Sequence, residues 1–160
     1  MKSAVVYYSH SGNTRRVARV LSEALKAKGQ AQEIELLPAD ESGSFLGQCH
    51  RAFRHKKALL KEVSFDLSGF DLICFGTPVW AFGPAPAMNA YLDKCFGLAN
   101  KRIILFTTYG SGAGNERCLK FMQDILAKKD AGDFNKFSIQ QFKVSDNNYV
   151  RSIIESTLAS

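Results

Sequence analysis

Apolar residues along this chain fall into short runs that alternate with stretches of helical spacing. Lys2 to Tyr8 is a β-rich run too short for a helix, bounded by the polar segment Ser9-His10-Ser11-Gly12-Asn13. Val17, Val20, Leu21, Ala24 and Leu25 then recur on one helical face, and Lys26, Lys28 and Gly29 act as a stop signal. Glu33 to Leu37 reads as a second strand closed by Pro38. Leu46, Cys49, Phe53 and Leu60 fit one face of a second helix. Phe70 to Gly76 is a third strand, and the turn Thr77-Pro78 leads through a proline-rich loop to a helix near Met88 to Phe96. A fourth strand at Arg102 to Thr107 precedes a glycine-rich loop and a helix from Asn115 to Lys128. Phe137 to Phe142 reads as the last strand and Asn147 to Leu158 as the closing helix.

The pattern is therefore β-α five times over. Strands one, three and four are nearly continuous apolar runs, as expected where helices cover both faces of a parallel sheet. The expectation is one α/β domain over residues 1–160, a doubly wound five-stranded parallel sheet of strand order 2-1-3-4-5 with helices on both faces. In such a sheet ligands bind beyond the carboxyl ends of the strands, where the strand order reverses. That point lies between strands one and three, so the loops after Tyr8, Gly76 and Thr108 should converge.

These three loops are also the most unusual in the chain. Ser9-His10-Ser11-Gly12-Asn13-Thr14 follows a strand and opens a helix, so backbone N–H groups, three hydroxyls and an amide face one spot. A phosphate there needs no lysine. Gly76-Thr77-Pro78-Val79-Trp80-Ala81-Phe82-Gly83-Pro84 carries the only tryptophan and is stiffened by proline, which suits the grip on a flat heteroaromatic ring. Thr107-Thr108-Tyr109-Gly110-Ser111-Gly112-Ala113-Gly114-Asn115 has Asn115 where the last glycine of a dinucleotide fingerprint would fall, so it reads as a second wall of the same site. The plain alternatives are a capped helix, aromatics packed under the next helix and a flexible loop.

Other chemistries fare worse. The Walker pattern is missing, as is the G-x-S-x-G of a serine hydrolase. A receiver domain needs acidic residues where Ser9 and Gly76-Thr77 stand. Cys49, Cys74, Cys95 and Cys118 form no C-x-x-C pair, and none has an arginine six positions on, so they read as small buried residues rather than metal ligands or nucleophiles.

Taken together, the three loops resemble those of the flavodoxin-like superfamily. Ser9 to Thr14 is similar to its phosphate loop, [ST]-x-[ST]-G-x-T, and Gly76 to Trp80 and Thr108 to Gly110 sit where it has its ring-binding loops. The second loop is nearer the FMN-binding oxidoreductases of the superfamily than its small electron carriers. The resemblance implies an FMN cofactor whose phosphate is held by Ser9, Ser11, Gly12, Asn13 and Thr14, with His10 the loosest member. Thr77, Pro78, Val79 and Trp80 would line the ribityl chain and ring, Phe82 and Gly83 would lie near the ring edge, and Thr108, Tyr109, Gly110, Gly112 and Gly114 would close the other side. Two roles fit: a carrier of single electrons between proteins, or an enzyme taking hydride from NAD(P)H for a small acceptor such as a quinone. A flavin-free interaction module is the remote third reading.

Charge modifies this picture. The 160 residues include 21 basic and 15 acidic ones, a net +6, whereas small electron-carrier flavodoxins are acidic. No Asp or Glu occurs in Gly76–Met88 or Thr107–Asn115, so a second reduction potential less negative than a carrier's is expected. Four cations, Arg51, Arg54, Lys56 and Lys57, crowd one segment and offer either a solvated helix face or a dock for an acidic protein or the phosphates of NADPH. Interleaved aromatics suited to nucleic acid are lacking there. No apolar run is long enough to cross a membrane and the first residues lack a secretory pattern, so the expected location is the cytoplasm.

Overall fold

The computed structural model describes residues 1–39 and 59–160. Strands β1 (Lys2–Tyr7), β2 (Gln30–Glu35), β3 (Leu72–Trp80), β5 (Arg102–Tyr109) and β6 (Phe134–Gln140) form a parallel sheet in the order β2-β1-β3-β5-β6. A two-residue strand, β4 (Gly83–Pro84), pairs antiparallel with the end of β3. With β4 set aside, this is the expected order 2-1-3-4-5, a flavodoxin-like fold. Helices α1 (Asn13–Lys26), α2 (Pro86–Lys94), α3 (Asn115–Ala127) and α4 (Asn147–Ala159) are the four α-helices among the described residues. The expected helix through Leu46, Cys49 and Phe53, and the cations Arg51, Arg54, Lys56 and Lys57, lie outside them. Leu60 bridges antiparallel to Pro38 instead of continuing a helix.

Successive side chains on a strand point to opposite faces, so the central strands feed two cores. Ala4, Val6, Ile73, Phe75, Ile103 and Leu105 meet Met88, Tyr91 and Leu92 of α2 and Leu119, Met122 and Leu126 of α3. Val5, Tyr7, Cys74, Ile104 and Phe106 meet Val17, Leu21 and Leu25 of α1 and Val150 and Ile154 of α4. Each such aliphatic side chain contributes roughly 1.5–3 kcal/mol by leaving water. Cys74, Cys95 and Cys118 are free and buried, and burial pushes their thiols up, Cys95 to about 11 and Cys118 to about 12. They pack as small apolar groups. No helix among the described residues is long and apolar enough to cross a membrane.

Several boundaries differ from the expectation, those of three strands the most. β2 covers Gln30–Glu35 rather than Glu33–Leu37, and β6 covers Phe134–Gln140 rather than Phe137–Phe142. Both are sheet edges, where polar positions such as Gln32 and Lys136 belong to the strand and blur an apolar run. β3 runs on through Thr77-Pro78 to Trp80. It loses its β1 neighbour after Gly76 while Thr77 and Pro78 still pair with Thr107 and Thr108. Pro78 thus sits on a local edge, where a missing N–H breaks no ladder bond.

Candidate functional site

The carboxyl ends of β1, β3 and β5 bring the three loops together. Gly12 is the N-cap of α1, with φ 90°, and it gives no side-chain cap. The Arg15 N–H donates to Ser9 Oγ at 3.1 Å and the Arg16 N–H to the Gly12 carbonyl at 3.0 Å. Among the described residues the Asn13 and Thr14 N–H groups have no acceptor, so they open outward at the positive end of the helix dipole. A Cβ built on Gly12 meets nothing within 4 Å, which leaves room for an anion.

The loop is fastened from below. Arg15 forks onto Glu35 on β2, Nη2 to Oε1 at 2.6 Å and Nε to Oε1 at 3.0 Å. The Tyr7 hydroxyl donates to Glu35 Oε2 at 3.3 Å, and burial together with the Glu35 and Glu33 charges pushes Tyr7 up to about 12. The buried hydroxyls of Thr14 and Thr108 share a hydrogen bond of 2.8 Å that ties the first loop to the third.

Above this frame lies a cavity of about 250 Å³. His10, Ser11 and Asn13 line one side, Pro78, Val79 and Trp80 the floor of the second loop, and Thr108, Tyr109 and Gly110 the other side, with Gln141 closing it. Among the described residues no Asp or Glu lines it. Trp80 is buried edge-on between the rings of Tyr8 (5.7 Å between centroids) and His10 (5.6 Å). β3 and β4 are joined by a two-residue turn in which Ala81 (φ 47°) and Phe82 (φ 64°) both adopt the left-handed conformation. For two residues with side chains this costs on the order of 1 kcal/mol each, and such strain persists where surroundings enforce it.

Residues 1–142 match the family described as NADPH-dependent FMN reductase. The chain belongs to this family. FMN is accordingly its cofactor. No curated protein sequence matches the chain. Among solved structures, a Bacteroides uniformis protein classed as a flavoprotein superposes with a TM-score of 0.74 at 22% identity, covering 96% of this chain and 97% of its own. A Lactobacillus acidophilus flavoprotein in complex with FMN gives a TM-score of 0.61 at 17% identity, covering 92% and 98%. An NADH:FMN oxidoreductase in its apo form gives 0.66 at 17% identity, covering 98% and 88%. At these identities the likeness establishes the fold.

The residues at the loops of this family member suit FMN. A dianionic phosphate needs unpaired N–H donors in positive potential, which the mouth of α1 offers; a flat ring needs apolar walls and close backbone, which Pro78, Val79 and Gly110 offer. Of the residues expected from sequence, His10, Ser11, Asn13, Pro78, Val79, Trp80, Thr108, Tyr109 and Gly110 line this cavity. The others stand around it. Ser9 and Thr14 are buried supports of the first loop. Thr77, fully buried, accepts the Ala85 N–H at 3.0 Å and pins the second loop to the start of α2. Gly83 pairs with Trp80 in the β3–β4 hairpin. Phe82 is exposed at that hairpin's tip and packs on Gly114, the N-cap of α3, while Gly112 lies beside the Tyr109 ring. Gln141 was not expected. It follows β6 directly, and the preceding Gln140 Nε2 donates to the Gly110 carbonyl at 3.2 Å; a strand boundary drawn past Phe142 hides both.

Proposed function

We propose that this chain is a one-domain oxidoreductase that holds FMN across these loops and reduces it with NADPH. The observation that carries the reading is the continuity of the uncapped mouth of α1 with the ring cavity, two sites sharing Ser11 and Asn13. In this reading Ser11, Gly12, Asn13 and the first N–H groups of α1 hold the phosphate. Pro78, Val79, Tyr109 and Gly110 hold the ring, and Thr77, Ser9 and Thr14 keep those groups in place. When bound, FMN would supply a two-electron acceptor for the hydride of a reduced nicotinamide. The protein contributes grip, orientation and a wall that among the described residues holds no carboxylate to oppose the negative charge of the reduced ring. Three buried free thiols suit a reducing compartment, and we assign the protein to the cytoplasm.

The test is an anaerobic visible spectrum of the FMN-loaded protein before and after NADPH, with NADH in parallel. Rapid bleaching by NADPH is expected. Bound flavin that neither nucleotide bleaches would favour a carrier fed by protein partners, and loss of the flavin with the free FMN would overturn the binding site itself.

A further inference from the structure

A second cavity, about 560 Å³, lies on the outer side of the first loop, between α1 and α4. Arg15, Arg16 and Arg19 of α1 line it with Asn147 and Arg151 of α4, and Glu23 is its one carboxylate among the described residues. Two of the four arginines are already matched: Arg15 forks onto Glu35, and Arg151 lies 3.9 Å from Glu23. Arg16 and Arg19, one helical turn apart, meet no carboxylate among the described residues. Arg16 sits in the first turn of α1, where the dipole is unfavourable to cations, and that turn holds no acid to offset it. Like charges three residues apart on one helix also repel. Such an arrangement is stabilised when an anion enters the cavity, and guanidinium groups favour phosphate through paired hydrogen bonds. Ser11 and Asn13 line both this cavity and the ring cavity, so the two adjoin across the first loop.

We propose that Arg16 and Arg19 take the 2′-phosphate of NADPH, and so distinguish it from NADH. The inference rests on the reading above that NADPH is the reductant, but it concerns residues outside the flavin site. The 2′-phosphate is a dianion at neutral pH, whereas NADH has a hydroxyl there that cannot pair with two arginines. The flavin phosphate is served by the N–H groups on the inner side of the loop, which leaves these side chains to a different ligand.

The probe is 2′,5′-ADP, with 5′-AMP as its counterpart, titrated calorimetrically into the FMN-loaded protein. Binding of 2′,5′-ADP about tenfold or more tighter than 5′-AMP is expected, with Arg16→Ala/Arg19→Ala bringing the two within about twofold of each other. The FMN affinity of that variant should stay within about threefold of the parent's, which also shows that it folds. Equal binding of the two probes, or a preference that survives the double substitution, overturns the proposal. So does a fall of about tenfold in FMN affinity, which would give the arginines to the flavin phosphate. If NADPH fails to bleach the flavin while 2′,5′-ADP keeps its preference, the reductant reading falls and the arginine site stands. If NADPH bleaches it without that preference, the arginine site alone falls.

Discussion

The first and third loops use one backbone device in two ways. Ser11-Gly12-Asn13-Thr14 opens α1 and Ala113-Gly114-Asn115-Glu116 opens α3, and in both the N-cap glycine is left-handed, with φ 90° and ψ near −10°. Neither helix has a side-chain cap. The surroundings then diverge. A side chain on Gly12 would enter open space, whereas one on Gly114 would strike Phe82 Cδ1 at 2.6 Å. The first turn of α3 carries an acid, Glu116, beside Arg117, while that of α1 has Arg15 and Arg16 and no acid. The third loop thus closes against the protein and balances its dipole internally. The first leaves donors, space and positive charge for something else to fill, and that contrast separates a ligand-binding helix start from a structural one.

The largest effect should come from giving the first loop an acid of its own. Ser11→Asp places a carboxylate where the phosphate is proposed to sit, and like charges at such a distance cost several kcal/mol. FMN affinity should fall about 100-fold, roughly 2.7 kcal/mol, in a fluorescence-quenching titration. The FMN-free protein should meanwhile gain up to about 1 kcal/mol in urea unfolding, because the acid now complements the dipole of α1. Opposite signs in the two measurements are the point. A loss of FMN without any gain in the apo protein would mean simple damage to the loop.

Filling the two glycines should reverse the order of harm. Gly114→Ala has to bear both the left-handed backbone and the contact with Phe82, on the order of 2–4 kcal/mol together. Gly12→Ala bears only the backbone cost, about 1–2 kcal/mol. Urea midpoints at unchanged slope would measure both. Adding Phe82→Ala to Gly114→Ala should recover the steric part and leave the conformational part, since the two residues touch. Equal losses at the two glycines would show that the third loop yields as readily as the first.

How much of this could be read from the residues follows from where each residue gets its neighbours. The central strands β1, β3 and β5 stand out because both their faces are buried, so nearly every position is apolar. The edge strands β2 and β6 slid by two or three residues because partly exposed positions such as Glu33 and Asn135 carry no such signal. The three loops were legible in their hydroxyls, glycines and prolines. The left-handed Ala81-Phe82 turn was not, because nothing in those two residue types asks for positive φ; the pairing of β4 with β3 imposes it. Nor was the arginine cavity. Arg16 and Arg19 read as an ordinary polar helix face until α4, from the far end of the chain, brings Asn147 and Arg151 alongside.

The smallest effect tests the charge half of the contrast by itself. Glu116→Gln keeps the shape of the α3 start and removes its acid, so apo stability at low salt should fall by about 0.3–1 kcal/mol. Arg16→Gln removes a cation from the first turn of α1 and should raise it by a similar amount, because no carboxylate among the described residues would be left unpaired. Both shifts should shrink toward zero in about 1 M salt, where charges more than roughly 3 Å apart in water are screened. Urea titrations of the two variants at both ionic strengths would read this directly. Shifts of the same sign, or shifts that survive the salt, would place the difference between the helices in packing. Opposite signs that vanish together would mean that α1 bears its arginines at a standing electrostatic cost, one that only an anionic ligand relieves.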